Sequence, residues 1–139
     1  MVTIFTLLIA YQIKHFVADY PLQGEWMLGK FKSGWCFLGP LVAHVCVHGF
    51  FTFLIVIMLR PELALQLASI DMIAHFTMDR IKAAPHYLGR FKPLTANEYS
   101  MATPKAKLGN KLFWWSIGFD QMVHHLTHYY IIWRIVSGS

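Results

Sequence analysis

Charge is what this chain has least of. Charged residues make up 14% of its 139 positions, against roughly 25% in a typical soluble domain. Cysteine is almost absent too. Cys36 and Cys46 stand alone, so there is no disulfide framework and no cysteine-type zinc motif. No repeat and no low-complexity tract interrupts the sequence. Hydrophobic residues fill 56% of it and aromatics 16%, which excludes a disordered chain or a nucleic-acid-binding arm and argues against a water-soluble globule. The net charge of +5, in so apolar a chain, points to basic loops on a membrane surface and not to a nucleic-acid partner.

The apolar residues collect into four segments, at about Thr3–Tyr20, Cys36–Leu59, Glu62–Ala83 and Leu112–Val136. The second and fourth are long enough for the ~30 Å of hydrocarbon that about 20 helical residues cross. The first is short and contains Lys14, expected to snorkel towards the interface. It has no basic n-region and no small-residue cleavage site, so it is expected to stay on the chain. The third is interrupted by Gln66, Asp71, His75 and Asp79, which suits a helix whose polar residues face a bundle interior. The expected fold is all-α: a single integral membrane four-helix bundle over residues 1–139, with a basic loop at Ala84–Lys111. Lys30, Lys32, Arg80, Lys82, Arg90, Lys92, Lys105, Lys107 and Lys111 fall at one end, Arg60 and Arg134 at the other. The positive-inside rule then puts the basic end in the cytoplasm and both termini outside, in a bacterial inner membrane.

All four aspartates and seven of the eight histidines lie inside the apolar segments, where an isolated carboxylate costs several kcal/mol. His15 and Asp19 share the first segment and His44 and His48 the second. Asp71, His75 and Asp79 share the third, and Asp120, His124 and His128 the fourth. Within each segment the spacing is four residues, so each helix carries its polar groups on one stripe. Counted from the basic ends at Tyr20, Cys36, Ala83 and Leu112, His15, His44, His75 and Asp120 lie at depths of roughly 7 to 12 Å. Four antiparallel helices therefore bring His and Asp to one layer.

Imidazole and carboxylate converging from several helices is how bundle cores hold metal ions. The ligand set read from the stripes is His15, Asp19, His44, His48, His75, Asp79, Asp120 and His124. That is too many for one tetrahedral zinc and suits about two divalent ions, zinc first, with manganese or iron also compatible. Asp71 and Asp120 are the candidates for a catalytic base. Gln23, Lys30, Lys82, Gln121 and His128 are candidates for supporting a ligand or meeting an anionic, phosphate-bearing substrate. A metal-free His/Asp network that only joins the helices is the alternative for the same residues. His125 is off the stripe and is expected to be a hydrogen-bonded core residue. His86 is expected to be solvated and Cys46 to be apolar filler. Trp26, Trp35, Trp114 and Trp115 are expected to form an aromatic belt.

The run His15-Phe-Val-Ala-Asp19-Tyr-Pro-Leu-Gln23, with Trp26 and Lys30 after it, resembles the opening motif of a family of small bacterial and phage integral membrane proteins of unknown function. His44-x3-His48, Asp71-x3-His75-x3-Asp79-x2-Lys82 and Asp120-Gln121-x2-His124 extend the likeness over most of the chain. The His-x3-Asp helices are more loosely similar to membrane-bound, metal-dependent hydrolases of the phospholipase C and nuclease P1 type. That likeness implies clustered zinc ions and phosphoester cleavage. The resulting expectation is a metal-dependent phosphoester hydrolase acting at the cytoplasmic leaflet, on a lipid or lipid-linked substrate. A metal-ion carrier or channel and a non-enzymatic accessory protein are the alternatives. Oligomeric state is not legible.

Overall fold

Thr3 begins the first helix by accepting a hydrogen bond from the Thr6 backbone N–H at 3.2 Å, which satisfies one of the donors a helix start leaves open. In the computed structural model, which describes residues 3–32, 34–83 and 111–137 together with 103, 105 and 109, this helix, α1, runs Ile4–Asp19. A short 3-10 helix, Met27–Phe31, leads to α2, Leu38–Ile57. Pro61 then opens a 3-10 turn, Pro61–Leu63, that feeds directly into α3, Ala64–Ala83. The last helix, α4, is Lys111–Ser137. The described residues are helical with no strand. Most of the expected loop, with His86, Arg90, Lys92 and Lys107, lies outside the described residues.

One apolar cluster fixes the topology. It joins Leu7 at the start of α1, Val56 at the end of α2, Ala64 and Leu67 at the start of α3, and Ile131 and Ile135 near the end of α4. The four helices therefore alternate in direction. A second cluster, Phe37, Leu41 and Val45 against Met72 and Phe76, joins α2 to α3 towards the opposite end. The side chains of the His/Asp stripes fill the space between.

The distribution of polarity is the reverse of a water-soluble bundle. The interior of α1 holds Lys14 and His15, while Phe5, Ile9, Ile13 and Phe16 face outward. On α4, Asp120, His124 and His128 are buried, and Phe119, Met122, Leu126 and Trp133 are exposed. Among the described helices, α2 alone is long and apolar enough to cross a membrane by length and composition, with a mean hydropathy of 2.1 over its span. Cys46 lies on its outer face, and both cysteines are free and exposed.

Lys14 differs from expectation. Its ammonium is buried and meets Asp71 at 2.5 Å, so the stem does not carry it to an interface. The reason is register. Lys14 precedes His15 and sits one turn after Tyr11, on the face that packs against the core.

Gly49 sets how closely α2 and α3 approach. A Cβ there would run into Cγ and Sδ of Met72, and small residues at such crossings let helix backbones come together. Gly49→Ala is expected to destabilise the fold by about 1–3 kcal/mol through overpacking. Pairing it with Met72→Ala should recover part of the loss, read as the thermal midpoint of the purified protein.

Candidate metal centre

The four-residue spacing brings the polar stripes of all four helices into contact. Asp19, at the end of α1, is surrounded by imidazoles: His48 Nε2 donates to its Oδ1 at 3.0 Å, His15 Nε2 lies 3.1 Å from Oδ2, and His44 Nε2 lies 3.4 Å from Oδ1. The rings stack as well. His48 and His75 are 3.8 Å apart between centroids, and His75 and His124 are 4.0 Å apart and nearly parallel. One donor atom each from His15, Asp19 and His48 fall within 4.8 Å of one another, and so do those of His15, His75 and His128.

A second group forms where α3 faces α4. Donor atoms of Asp79, Asp120 and His124 also fall within 4.8 Å of one another. Here two lysines intervene. Lys30, from the 3-10 helix before α2, donates to Asp79 Oδ2 at 2.8 Å. Lys82 donates to Asp120 Oδ2 at 2.6 Å and lies 3.8 Å from Asp79 Oδ1. His44 links the two groups, with Nε2 3.2 Å from Asp79 Oδ2.

Asp71 lies deeper and is saturated on one oxygen. Lys14 and Thr52 both donate to its Oδ2, at 2.5 and 2.6 Å. Its other oxygen faces His75 Nδ1 at 3.2 Å and His128 Nε2 at 3.5 Å. His75 Nδ1 also lies 3.0 Å from the Asp71 backbone carbonyl, which directs Nε2 of the same ring into the cluster. That nitrogen is buried without a hydrogen-bond partner. Nδ1 of His15, His44, His48 and His124 and Oδ1 of Asp120 are in the same condition. Buried polar atoms are normally satisfied, so these open atoms could accept a ligand from outside the chain.

Every expected ligand therefore meets at least one other: His15, Asp19, His44 and His48 on one side, Asp79, Asp120 and His124 on the other, His75 between them. Gln121 joins the cluster through His15, at 3.1 Å from its Nε2. Gln23 does not; it sits half-buried in the turn after α1. His125 is hydrogen-bonded, accepting at Nδ1 from Gln12 at 3.2 Å, but it is half-buried and not a core residue, and its ring lies 5.5 Å from that of His15. Thr52 and Tyr11 were missed. Both were legible as continuations of the stripe, Thr52 four residues beyond His48 and Tyr11 four before His15, with its ring 5.1 Å from that of His128.

Removing one member of a buried ion pair leaves the other uncompensated, typically at 3–5 kcal/mol. Lys14→Met and Asp71→Asn are each expected to lower stability by about that amount. Combining them should cost much less than the sum, measured by thermal unfolding of the purified protein.

The chain belongs to the DUF3307 family, described as proteins of unknown function, whose model matches residues 4–138. No curated protein and no solved structure matches it.

Proposed function

We propose that this family member is an integral protein of the bacterial cytoplasmic membrane whose helical core binds about two divalent metal ions, zinc first with manganese or iron as alternatives, and uses them to hydrolyse a phosphoester. The substrate would be a lipid or lipid-linked phosphate at the cytoplasmic leaflet. The membrane reading rests on the reversed polarity: carboxylates and imidazoles inside, Phe, Ile, Leu and Trp outside. Such a surface is costly in water and suited to lipid. Trp26, Trp35, Trp114 and Trp115 are all exposed, and all lie towards the basic end, as an interfacial belt would. The lysine-rich end faces the cytoplasm in this reading, and both termini face outward.

The observation that carries the metal reading is the set of unpartnered ring nitrogens around Asp19 and His75. His75 has the form of a ligand whose other nitrogen is fixed by a carbonyl and a carboxylate. Asp71 therefore acts as a positioning residue, and Asp120, whose lysine partner is partly exposed at the open end while that of Asp71 is buried, is the better candidate for a base. Bound ions would lower the pKa of a coordinated water and hold phosphoryl oxygens.

An enzyme is favoured over a carrier because the site opens at one end. The Asp19 and Lys82 side chains keep 19% and 23% of their surface exposed, whereas Asp71 is fully buried. Beyond Asp71, Leu7, Tyr11, Val56, Leu67 and Ile131 close the bundle. An ion could enter and a substrate could reach it, but no polar path continues outward through that cluster.

A reporter fused after Ser139 should behave as periplasmic; cytoplasmic activity from it would reverse the orientation. Protein purified in mild detergent should retain metal. Asp19→Ala or His48→Ala should lower its affinity about 10- to 100-fold, while His125→Ala leaves it unchanged, as read by elemental analysis. The metallated wild-type should cleave a phosphodiester or phospholipid. Metal uptake into vesicles without any hydrolysis would establish the carrier instead.

A further inference from the structure

The two groups of potential ligands are not equivalent in charge. The core holds three ammonium groups and four carboxylates, and the ammonium groups are unevenly placed. Lys14 is committed to Asp71, Lys30 to Asp79 and Lys82 to Asp120. Asp19 meets three imidazole nitrogens and no ammonium group. A divalent ion can therefore join His15, Asp19 and His48 without displacing a lysine. At Asp79, Asp120 and His124 it must compete for the oxygens that Lys30 and Lys82 already hold.

The second group is nonetheless built to receive a cation. His124 is 2% exposed and Asp120 1%, and His124 Nδ1 and Asp120 Oδ1 are buried with no hydrogen-bond partner. Asp120 Oδ1 lies 3.3 Å from His124 Nε2. Lys82 thus satisfies half of the Asp120 carboxylate and leaves its other oxygen beside His124. The two lysines differ in access, Lys30 being only 4% exposed. Lys30 is on a five-residue 3-10 helix, and Lys82 is in the last turn of α3, partly exposed.

We propose that the second ion position is held closed by Lys30 and Lys82, and that a phosphate-type anion opens it by drawing their ammonium groups away from Asp79 and Asp120. The proposal rests on the metal reading above and adds how its second site is regulated. An ammonium group released from a buried carboxylate needs a new counter-charge, because a lone cation in a low-dielectric core is costly. A phosphate group provides one, with several acceptor oxygens for two lysines. The ion takes the vacated carboxylates and the anion takes the lysines, so each makes room for the other. Linkage requires the effect to be reciprocal: the anion strengthens the second ion's binding by the same factor as the ion strengthens the anion's. The second ion would then be recruited only when a substrate phosphate is at the mouth.

The test titrates metal-free, full-length protein in mild detergent with Mn2+, reading bound and free ion by electron paramagnetic resonance. Without anion, one ion should bind at least about tenfold more tightly than the second. Inorganic phosphate should strengthen the second by about tenfold or more and leave the first unchanged. A parallel arm uses bilayer discs of phosphatidylcholine with and without phosphatidic acid. A response to free phosphate alone assigns a soluble phosphate as the opener, and a response to phosphatidic acid assigns a lipid headgroup. Lys30→Met with Lys82→Met should bind two ions without anion and ignore phosphate. Asp120→Asn, which keeps the Asp19 group intact, should bind one ion and also ignore phosphate. Two equal ions in the wild-type without anion, or no response to either anion, would overturn the proposal while leaving the metal reading standing. Absence of the first ion as well would remove both.

Discussion

A carboxylate placed in the core of a bundle with an apolar exterior must be neutralised from within, and the structure is organised by how four of them are. Water cannot do it, because the residues that would face water are Phe5, Ile9, Ile13, Phe50, Leu126 and their neighbours. Lys14, Lys30 and Lys82 each neutralise one aspartate. The fourth, Asp19, is left to His15, His44 and His48, none of which carries a charge unless protonated. This division determines what each region can do. Asp71, closed off by Lys14 and Thr52, holds His75 and His128 in place. Asp79 and Asp120 are held by Lys30 and Lys82 towards the basic end. Asp19 is the point where an additional positive charge is still wanted.

The same constraint explains the connectivity. At Asp71, Asp79 and Asp120 a lysine arrives from a different element, so the ion pairs are cross-links: α1 to α3 through Lys14, the 3-10 helix to α3 through Lys30, and α3 to α4 through Lys82. In the membrane setting proposed above, a bundle packed only by Leu and Ile would have little to fix the rotation of its helices, since lipid tails are as apolar as the side chains. The polar core specifies rotation, and Gly49 against Met72 sets the separation of α2 and α3. At the far end, Arg60 Nη1 donates to the Ile135 carbonyl at 3.3 Å and ties the α2–α3 turn to α4.

Most of this was legible in the sequence because the side-chain period of a helix is rigid. His15/Asp19, His44/His48, Asp71/His75/Asp79 and Asp120/His124/His128 each keep a four-residue step, and a common depth follows from counting residues at a fixed rise. The helices themselves came through with ends shifted by a few residues, as capping at Thr3 and the Pro61 turn would require. Lys14 was the residue read wrongly. A lysine's long, flexible stem lets the ammonium group end far from where its Cα sits, so spacing says little about its partner. Lys14 looked like an interfacial anchor and is a core ion pair. Lys82, expected to support a ligand or meet a substrate, bridges Asp79 and Asp120. Lys30, from a connecting segment with no helical period, had no register from which its contact with Asp79 could be deduced.

The placement of these lysines also supports the proposed metal site over a purely structural network. If the core existed only to join helices, a fourth lysine at Asp19 would complete it, and every carboxylate would have an ammonium partner. Asp19 instead has three imidazoles directed at it and the greatest exposure of the four aspartates, 19% against 3% or less. An uncompensated carboxylate at the open end, ringed by nitrogens that are neutral unless protonated, is a poor way to stabilise a fold. It is a good way to capture a divalent cation from the surface: charge attracts the ion, imidazole supplies soft enough donors for zinc, manganese or iron, and the buried groups beneath are already fixed by Asp71. The cost of leaving Asp19 short of a lysine makes physical sense if something from outside the chain completes it.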